Sequence, residues 1–185
     1  MQTGWYSCKK LKQLLLLTTA IMFCVGLAPS YADSIQEYTA KSVLALNLAR
    51  YSDWPLAAVI DDHATVNLCL LGDDVVQQAF GMIDKKQVGN KALSVLNISK
   101  SQDLASCHLL YISGNTDNTT QLIQESYKHH ILTIGETDDF LTQGGIVYLE
   151  IADSKINLNV NVEASQKAGI QISARVLKLA TIFKP

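Results

Sequence analysis

The segment that decides the fold is His108-Leu109-Leu110-Tyr111-Ile112, which is followed by Ser113-Gly114-Asn115. A short apolar run of this length, closed by turn-forming residues, is typical of a strand buried on both faces. A helix is predicted from about Thr119 to His129, and a further apolar run covers Ile131 to Ile134. A buried strand, a helix and another buried strand in succession predict a parallel βαβ unit.

The same alternation is present upstream of this unit. Val66 to Leu71 is an apolar run stopped by Gly72-Asp73, a helix is predicted from Asp74 to about Phe80, and Lys91 to Ile98 alternates as a strand should. The pattern therefore predicts one α/β domain with a mixed, mostly parallel sheet flanked by helices.

The last third of the chain changes to antiparallel signals. Residues 146–151 and 155–161 are two short strand-like runs separated by Ala152-Asp153-Ser154, and in the second run apolar residues alternate with asparagines. This alternation predicts a C-terminal β-hairpin with one exposed face. Two terminal helices are predicted after it, over residues 162–168 and 173–182, with a break at Gly169.

A first helix is predicted over residues 34–51. Ser34 and Glu37 have the spacing of a capping box, and apolar residues then recur at helical intervals. The helix should end before Trp54-Pro55, because a proline disfavours helical backbone in the residue before it. Trp54 is either a core side chain at the helix end or an exposed aromatic anchor for a partner or a planar ligand.

The first 32 residues have the pattern of a signal peptide. Three lysines precede an uncharged apolar run from Leu14 to Leu27, and Ser30-Tyr31-Ala32 places small residues where a signal peptidase reads them. The apolar run is shorter than the roughly 18 residues that a membrane span needs. We expect cleavage after Ala32, and the remaining domain, residues 33–185, to be exported and therefore periplasmic.

Charge and cysteine content narrow the class of protein further. Fifteen basic and 17 acidic residues provide no basic surface for a nucleic acid, so no nucleic-acid partner is expected. Cys8 and Cys24 lie in the predicted signal, which leaves Cys69 and Cys107 as a pair in an oxidising compartment. A disulfide between them is predicted; two buried thiols or a catalytic thiol are the alternatives.

The sequence offers few candidates for catalysis, a metal or a cofactor. It has no nucleophile elbow, Walker loop or dinucleotide-binding glycine motif, and its four histidines (His63, His108, His129 and His130) lack zinc-site spacing. Gly144-Gly145 either presents backbone amides to an anion or forms a turn with positive φ. We expect a protein that is not an enzyme and needs no cofactor or metal.

An ordered set of short motifs resembles the YfiR family. The set spans about residues 37–180 and consists of Glu37-Tyr38-x-x-Lys41, Trp54-Pro55, the strand with Cys69 and Gly72, Cys107-His108-x-Leu-Tyr-Ile, Ile131-Leu132-Thr133-Ile134-Gly135, Gly144-Gly145-Ile146, Asn159-x-Asn161, Ala168-Gly169-Ile170-x-Ile172-Ser173 and Leu177-x-Leu179-Ala180.

The resemblance implies a periplasmic repressor that binds the periplasmic part of an inner-membrane GGDEF diguanylate cyclase of the YfiN type. It further implies a homodimer and an outer-membrane lipoprotein of the YfiB type that withdraws the repressor. Some family members carry two disulfides, whereas the mature chain has cysteines for one. If the protein acts by binding, the predicted partner contacts are the exposed end of the first helix and the Trp-Pro pair after it, namely Tyr51, Trp54 and Pro55.

A second hypothesis is a periplasmic small-molecule-binding sensory module. It rests on Gly72 and Gly135, which stand at the carboxyl ends of predicted strands, where ligands of α/β sheets tend to bind.

Overall fold

The computed structural model describes residues 31–55, 65–99, 101–114, 116–153 and 155–184. From Ala32 onward these residues form one compact unit. The three lysines and the apolar run of the predicted signal peptide, and also His63, lie outside the described residues.

The described elements alternate between helices and strands for most of the chain. The α-helices are α1 (Tyr31–Arg50), α2 (Asp74–Gly81), α3 (Thr119–Lys128), α4 (Val162–Lys167) and α5 (Ala174–Leu177), and a 3₁₀ helix covers Ser101–Ser106. The strands are β1 (Ser52–Asp53), β2 (Thr65–Leu71), β3 (Gln87–Val88), β4 (Lys91–Asn97), β5 (Leu109–Ile112), β6 (Leu132–Gly135), β7 (Val147–Ala152), β8 (Lys155–Val160), β9 (Gln171–Ile172) and β10 (Thr181–Ile182).

The main sheet has eight strands in the order β10-β8-β7-β6-β5-β2-β4-β3. Its five central strands, from β4 to β7, are parallel neighbours. β3 and β8 add antiparallel at either side, and β10 pairs parallel with β8. From β2 the chain moves outward to β4, then returns past β2 to β5. The predicted mixed, mostly parallel sheet flanked by helices is therefore confirmed.

Both faces of the central strands are buried, as the apolar runs predicted. Successive side chains of a strand point to opposite faces, so Leu109 and Tyr111 of β5 pack in one hydrophobic cluster and Leu110 and Ile112 in the other. The first cluster receives buried side chains from α1, α2, α4 and α5, and the second receives Leu122 and Ile123 of α3. The result is a three-layer arrangement of helix, sheet and helix.

The start of the first helix differs from the prediction. α1 begins at Tyr31, so Ser34 lies inside the helix and the predicted capping box is wrong. Glu37 instead uses its carboxylate on Lys41, one turn later, with Oε1 2.6 Å from Nζ. By contrast the start of α2 is confirmed, because the Asp73 carboxylate accepts from the backbone N–H groups of Val75 and Val76.

The last predicted helix is mostly wrong, although the break before it is confirmed. Gly169 has a φ of +76° and ends the turn after α4. The predicted helix over residues 173–182 is one turn long, because the chain then leaves the helix and β10 pairs with β8. Phe183 anchors this pairing, since its N–H donates to the Val160 carbonyl at 2.8 Å and its side chain packs on the second hydrophobic cluster.

Candidate functional site

An apolar groove opens where α1, β8 and α5 meet. Its apolar lining comes from Leu44, Leu48, Tyr51, Leu158, Val176 and Leu179, and its volume is about 320 Å³. Leu179 is 83% exposed and Tyr51 is 40% exposed, so both present hydrophobic side chains to solvent at the groove. We call this set of six residues the Tyr51 groove.

The Tyr51 groove is held in place by backbone hydrogen bonds. The Tyr51 N–H donates to the Asn47 carbonyl, and the Tyr51 carbonyl accepts from the Ser173 N–H at 2.8 Å. One charged residue, Arg175, stands among the groove-lining residues. Within the described part of the chain its guanidinium makes no ion pair. The groove therefore combines exposed apolar surface with a positive charge.

Trp54 and Pro55, the other two predicted partner contacts, lie in different surroundings. Trp54 is half-buried against the first hydrophobic cluster, and its indole N–H donates to the His108 carbonyl at 3.2 Å. Its ring also meets the His108 ring edge-on. Pro55 lies beside Gly169. The role of all three residues in partner binding stays a prediction.

A buried polar cluster lies at the carboxyl ends of β5 and β6. Glu136 follows β6, and its side chain is 8% exposed. The carboxylate pairs with the ammonium of Lys41 on α1, whose side chain is 3% exposed, and accepts the N–H of Gly114 at 2.7 Å. It also accepts the hydroxyls of Tyr38 at 3.2 Å and Tyr111 at 3.0 Å. This carboxylate therefore joins the first helix to the two strands.

The electrostatics of this cluster keep both phenols protonated. Burial first, and the charge of Glu136 second, raise the pKa of Tyr111 well above its ordinary value of 10.0. The same two causes raise the pKa of Tyr38. Because both hydroxyls stay protonated, they remain donors to Glu136. The contacts of Tyr38 and Lys41 with Glu136 hold α1 against the sheet.

Glu136 is not among the residues that the sequence pattern predicts for a site. The resemblance included Tyr38 and Lys41, but no local pattern joins Lys41 to a carboxylate 95 positions away. The sequence does contain one indication of a buried partner for Lys41. This lysine lies three residues from both Tyr38 and Leu44 and so falls on the apolar side of the helix. A lysine there requires a buried acceptor.

The protein's own side chains fill the space beside the glycines for which a ligand site is predicted. A Cβ on Gly72 would lie 2.8 Å from Val76 of α2, and one on Gly135 would overlap the Phe140 ring. Gly145 faces the same ring from the other side, and Gly144 has a φ of +97°, which fits the predicted turn. These positions provide close packing and turn geometry, so they no longer support a small-molecule site.

This packing leads to a prediction about Gly145. Gly145→Ala is expected to destabilise the protein by about 1–3 kcal/mol, because the added methyl group must displace the buried Phe140 ring. Gly81→Ala at the end of α2 is the matched control, since no atom other than those of its chain neighbours and its own helix backbone lies within 4 Å of the added Cβ. Urea unfolding should separate the two variants, and equal midpoints would contradict the packing argument.

Cys69 and Cys107 form a disulfide in the structure, with their Cα atoms 5.7 Å apart. Cys69 lies in β2 and Cys107 two residues before β5, and both are buried in the second hydrophobic cluster. The bond therefore ties two adjacent central strands together from one face.

The described histidines are dispersed. The His108 ring accepts the N–H of Asn67 through Nδ1, whereas His129 and His130 follow α3, with His130 Nδ1 2.8 Å from the Ala168 carbonyl. Among the residues that the structure describes, no group of three or more metal-ligating side chains is placed to hold an ion.

No helix in the described part of the chain is long and apolar enough to cross a membrane.

Comparisons with known proteins identify one family, and the solved structures that resemble this chain include the two described below. The family model described as YfiR/HmsC-like matches residues 38–181. A conserved domain protein of Vibrio cholerae is 14% identical, with a TM-score of 0.48, over 70% of this chain and 57% of that chain. The ABC domain of Streptococcus pneumoniae, solved in complex with L-Trp, is 12% identical, with a TM-score of 0.45, over 64% of this chain and 55% of that chain. No curated protein matches.

Proposed function

Since the chain belongs to the YfiR/HmsC-like family, whose model matches residues 38–181, we propose that it is a periplasmic regulator of a diguanylate cyclase. Residues 1–32 direct export, and cleavage after Ala32 releases the domain. The exported protein binds the periplasmic part of an inner-membrane GGDEF cyclase of the YfiN type and lowers its output of cyclic di-GMP. It works as a homodimer, and an outer-membrane lipoprotein of the YfiB type withdraws it from the cyclase.

The observation that supports regulation by binding is the Tyr51 groove. Leu179 and Tyr51 expose hydrophobic surface next to the guanidinium of Arg175, a combination suited to an apolar segment that carries a carboxylate. Tyrosine and arginine are also enriched among the residues that dominate binding energy at interfaces. The partner surface that fits is therefore a hydrophobic ridge with an acidic residue at its rim.

Repression through this surface requires no chemistry. A regulator shifts the cyclase towards an inactive conformation if it binds that conformation better than the active one. Each tenfold preference corresponds to about 1.4 kcal/mol. A single buried aromatic or arginine contact is enough for one such step.

The experiment that tests the proposal is capture of the cyclase from solubilised inner membranes by the exported protein. The wild-type protein should retain a GGDEF protein, and Leu179→Asp should reduce that retention at least tenfold because it places a charge in the groove. Met82→Asp is the matched control, since Met82 is 62% exposed and does not line the groove. It should retain the cyclase fully.

Both variants should fold like the wild type, because substitutions at exposed positions usually change stability by less than about 0.5 kcal/mol. Failure of the wild-type protein to capture any GGDEF protein would contradict the proposed function. Undiminished capture by Leu179→Asp would contradict the assignment of the groove alone.

A further inference from the structure

A second groove lies elsewhere on the molecule, between the end of α3, the segment before β7, α4 and the residues after β10. It has a volume of about 620 Å³. Tyr127, Leu141 and Phe183 supply its apolar walls, and Lys167, Lys184 and Glu163 are its charged residues. This volume lies within the range of about 300–1,000 Å³ that small-molecule sites occupy. We call it the Tyr127 groove.

The walls of the Tyr127 groove are fixed by internal hydrogen bonds. The Tyr127 hydroxyl donates to the Gly144 carbonyl, which holds the ring in one orientation. Asn161 begins α4 by accepting the Ala164 N–H, and its side-chain amide donates to the Leu141 carbonyl. A ligand would therefore meet a largely formed site and would not have to order these elements on binding.

The Tyr127 groove is lined by three charged side chains, two positive and one negative. The Lys167 ammonium lies 4.9 Å from the centroid of the Tyr127 ring, where the ring face attracts it. Over the described residues, Lys167, Lys184 and Glu163 make no ion pair. Two lysines and one glutamate thus line the groove, which gives it an excess positive charge beside two aromatic rings.

We propose that the Tyr127 groove binds a small organic anion with a flat aromatic body and one carboxylate. The aromatic body packs between Tyr127 and Phe183, and the carboxylate accepts hydrogen bonds from Lys167 and Lys184. Charge-assisted hydrogen bonds of this kind are about twice as strong as neutral ones, so the charge of the ligand decides its affinity. Glu163 opposes the anion and limits that affinity. The site is independent of the Tyr51 groove, which shares none of its lining residues.

The test uses 1-naphthoate as the probe and its uncharged amide, 1-naphthamide, as the matched ligand, with calorimetric titration of the purified protein. Naphthoate should bind with a dissociation constant of about 1 mM or tighter, and naphthamide at least tenfold more weakly. Lys167→Met and Lys184→Met should each weaken naphthoate binding about tenfold. Glu163→Gln should strengthen it, because the opposing charge is removed.

Lys86→Met is the control, since Lys86 is exposed and does not line the groove. This variant has the same change in net charge as Lys167→Met and should bind naphthoate like the wild type. Equal affinity for the acid and the amide would overturn the proposal. So would unchanged binding by Lys167→Met, or an equal loss in Lys86→Met. None of these results would bear on capture of the cyclase.

Discussion

Lys41→Met is expected to destabilise the protein by about 3–5 kcal/mol. The substitution removes the ammonium group but leaves the Glu136 carboxylate in a site where its side chain is 8% exposed. A buried charge that has lost its opposite charge cannot recover hydration from solvent, and this desolvation cost dominates the loss. Urea unfolding of the variant against the wild type measures it.

Two matched variants separate this mechanism from a general effect on α1. Glu37 also pairs with Lys41 but is 34% exposed, so Glu37→Gln should cost less than about 1 kcal/mol. Lys41→Met/Glu136→Gln removes both charges and keeps one acceptor oxygen, which serves either Tyr111 or Gly114, because these two groups donate to different oxygens of Glu136. It should therefore be less destabilised than the sum of its single variants. Strict additivity, or a cost below 1 kcal/mol for Lys41→Met, would show that the ion pair is not a stabilising contact.

Loss of the disulfide is expected to cost about 4 kcal/mol. The bond between Cys69 and Cys107 closes a loop with a sequence separation of 38, and its absence lets the unfolded chain explore conformations that the closed loop excludes. Denaturant unfolding of the exported protein, with and without a thiol reductant, measures the difference.

The Cys69→Ala/Cys107→Ala variant provides the control for the disulfide. It should be at least as unstable as the reduced wild type, and the reductant should not change its midpoint. If oxidised and reduced wild-type protein unfolded at the same denaturant concentration, the disulfide would have no stabilising role.

The central strands could be predicted from sequence because both of their faces are buried. β5 is apolar at every position, and a run of that kind followed by Gly114 has few alternatives at its length. The last helix could not be predicted, because the apolar spacing of residues 176–180 fits a helix while the pairing of β10 with β8 depends on tertiary contacts. Short strands such as β1 and β9 likewise form only when distant segments meet.

In the candidate sites, too, the residues that local sequence patterns predict are completed by residues from distant segments, which those patterns do not predict. The position of Tyr51 at the end of the first helix is enough to predict it as a partner contact. Leu158 and Leu179, which complete its groove, come from segments more than 100 positions away. The glycines at strand ends were ambiguous, since a ligand and a packed side chain such as Phe140 both require a residue without a Cβ. Only the three-dimensional structure distinguishes these cases.

The most direct test of the central claim is the cellular concentration of cyclic di-GMP in a strain that carries the partner cyclase. Deleting this protein should raise the concentration, and restoring the exported wild type should lower it again. Leu179→Asp, exported in equal amount, should leave it high. A concentration that does not change when the protein is deleted would contradict the account.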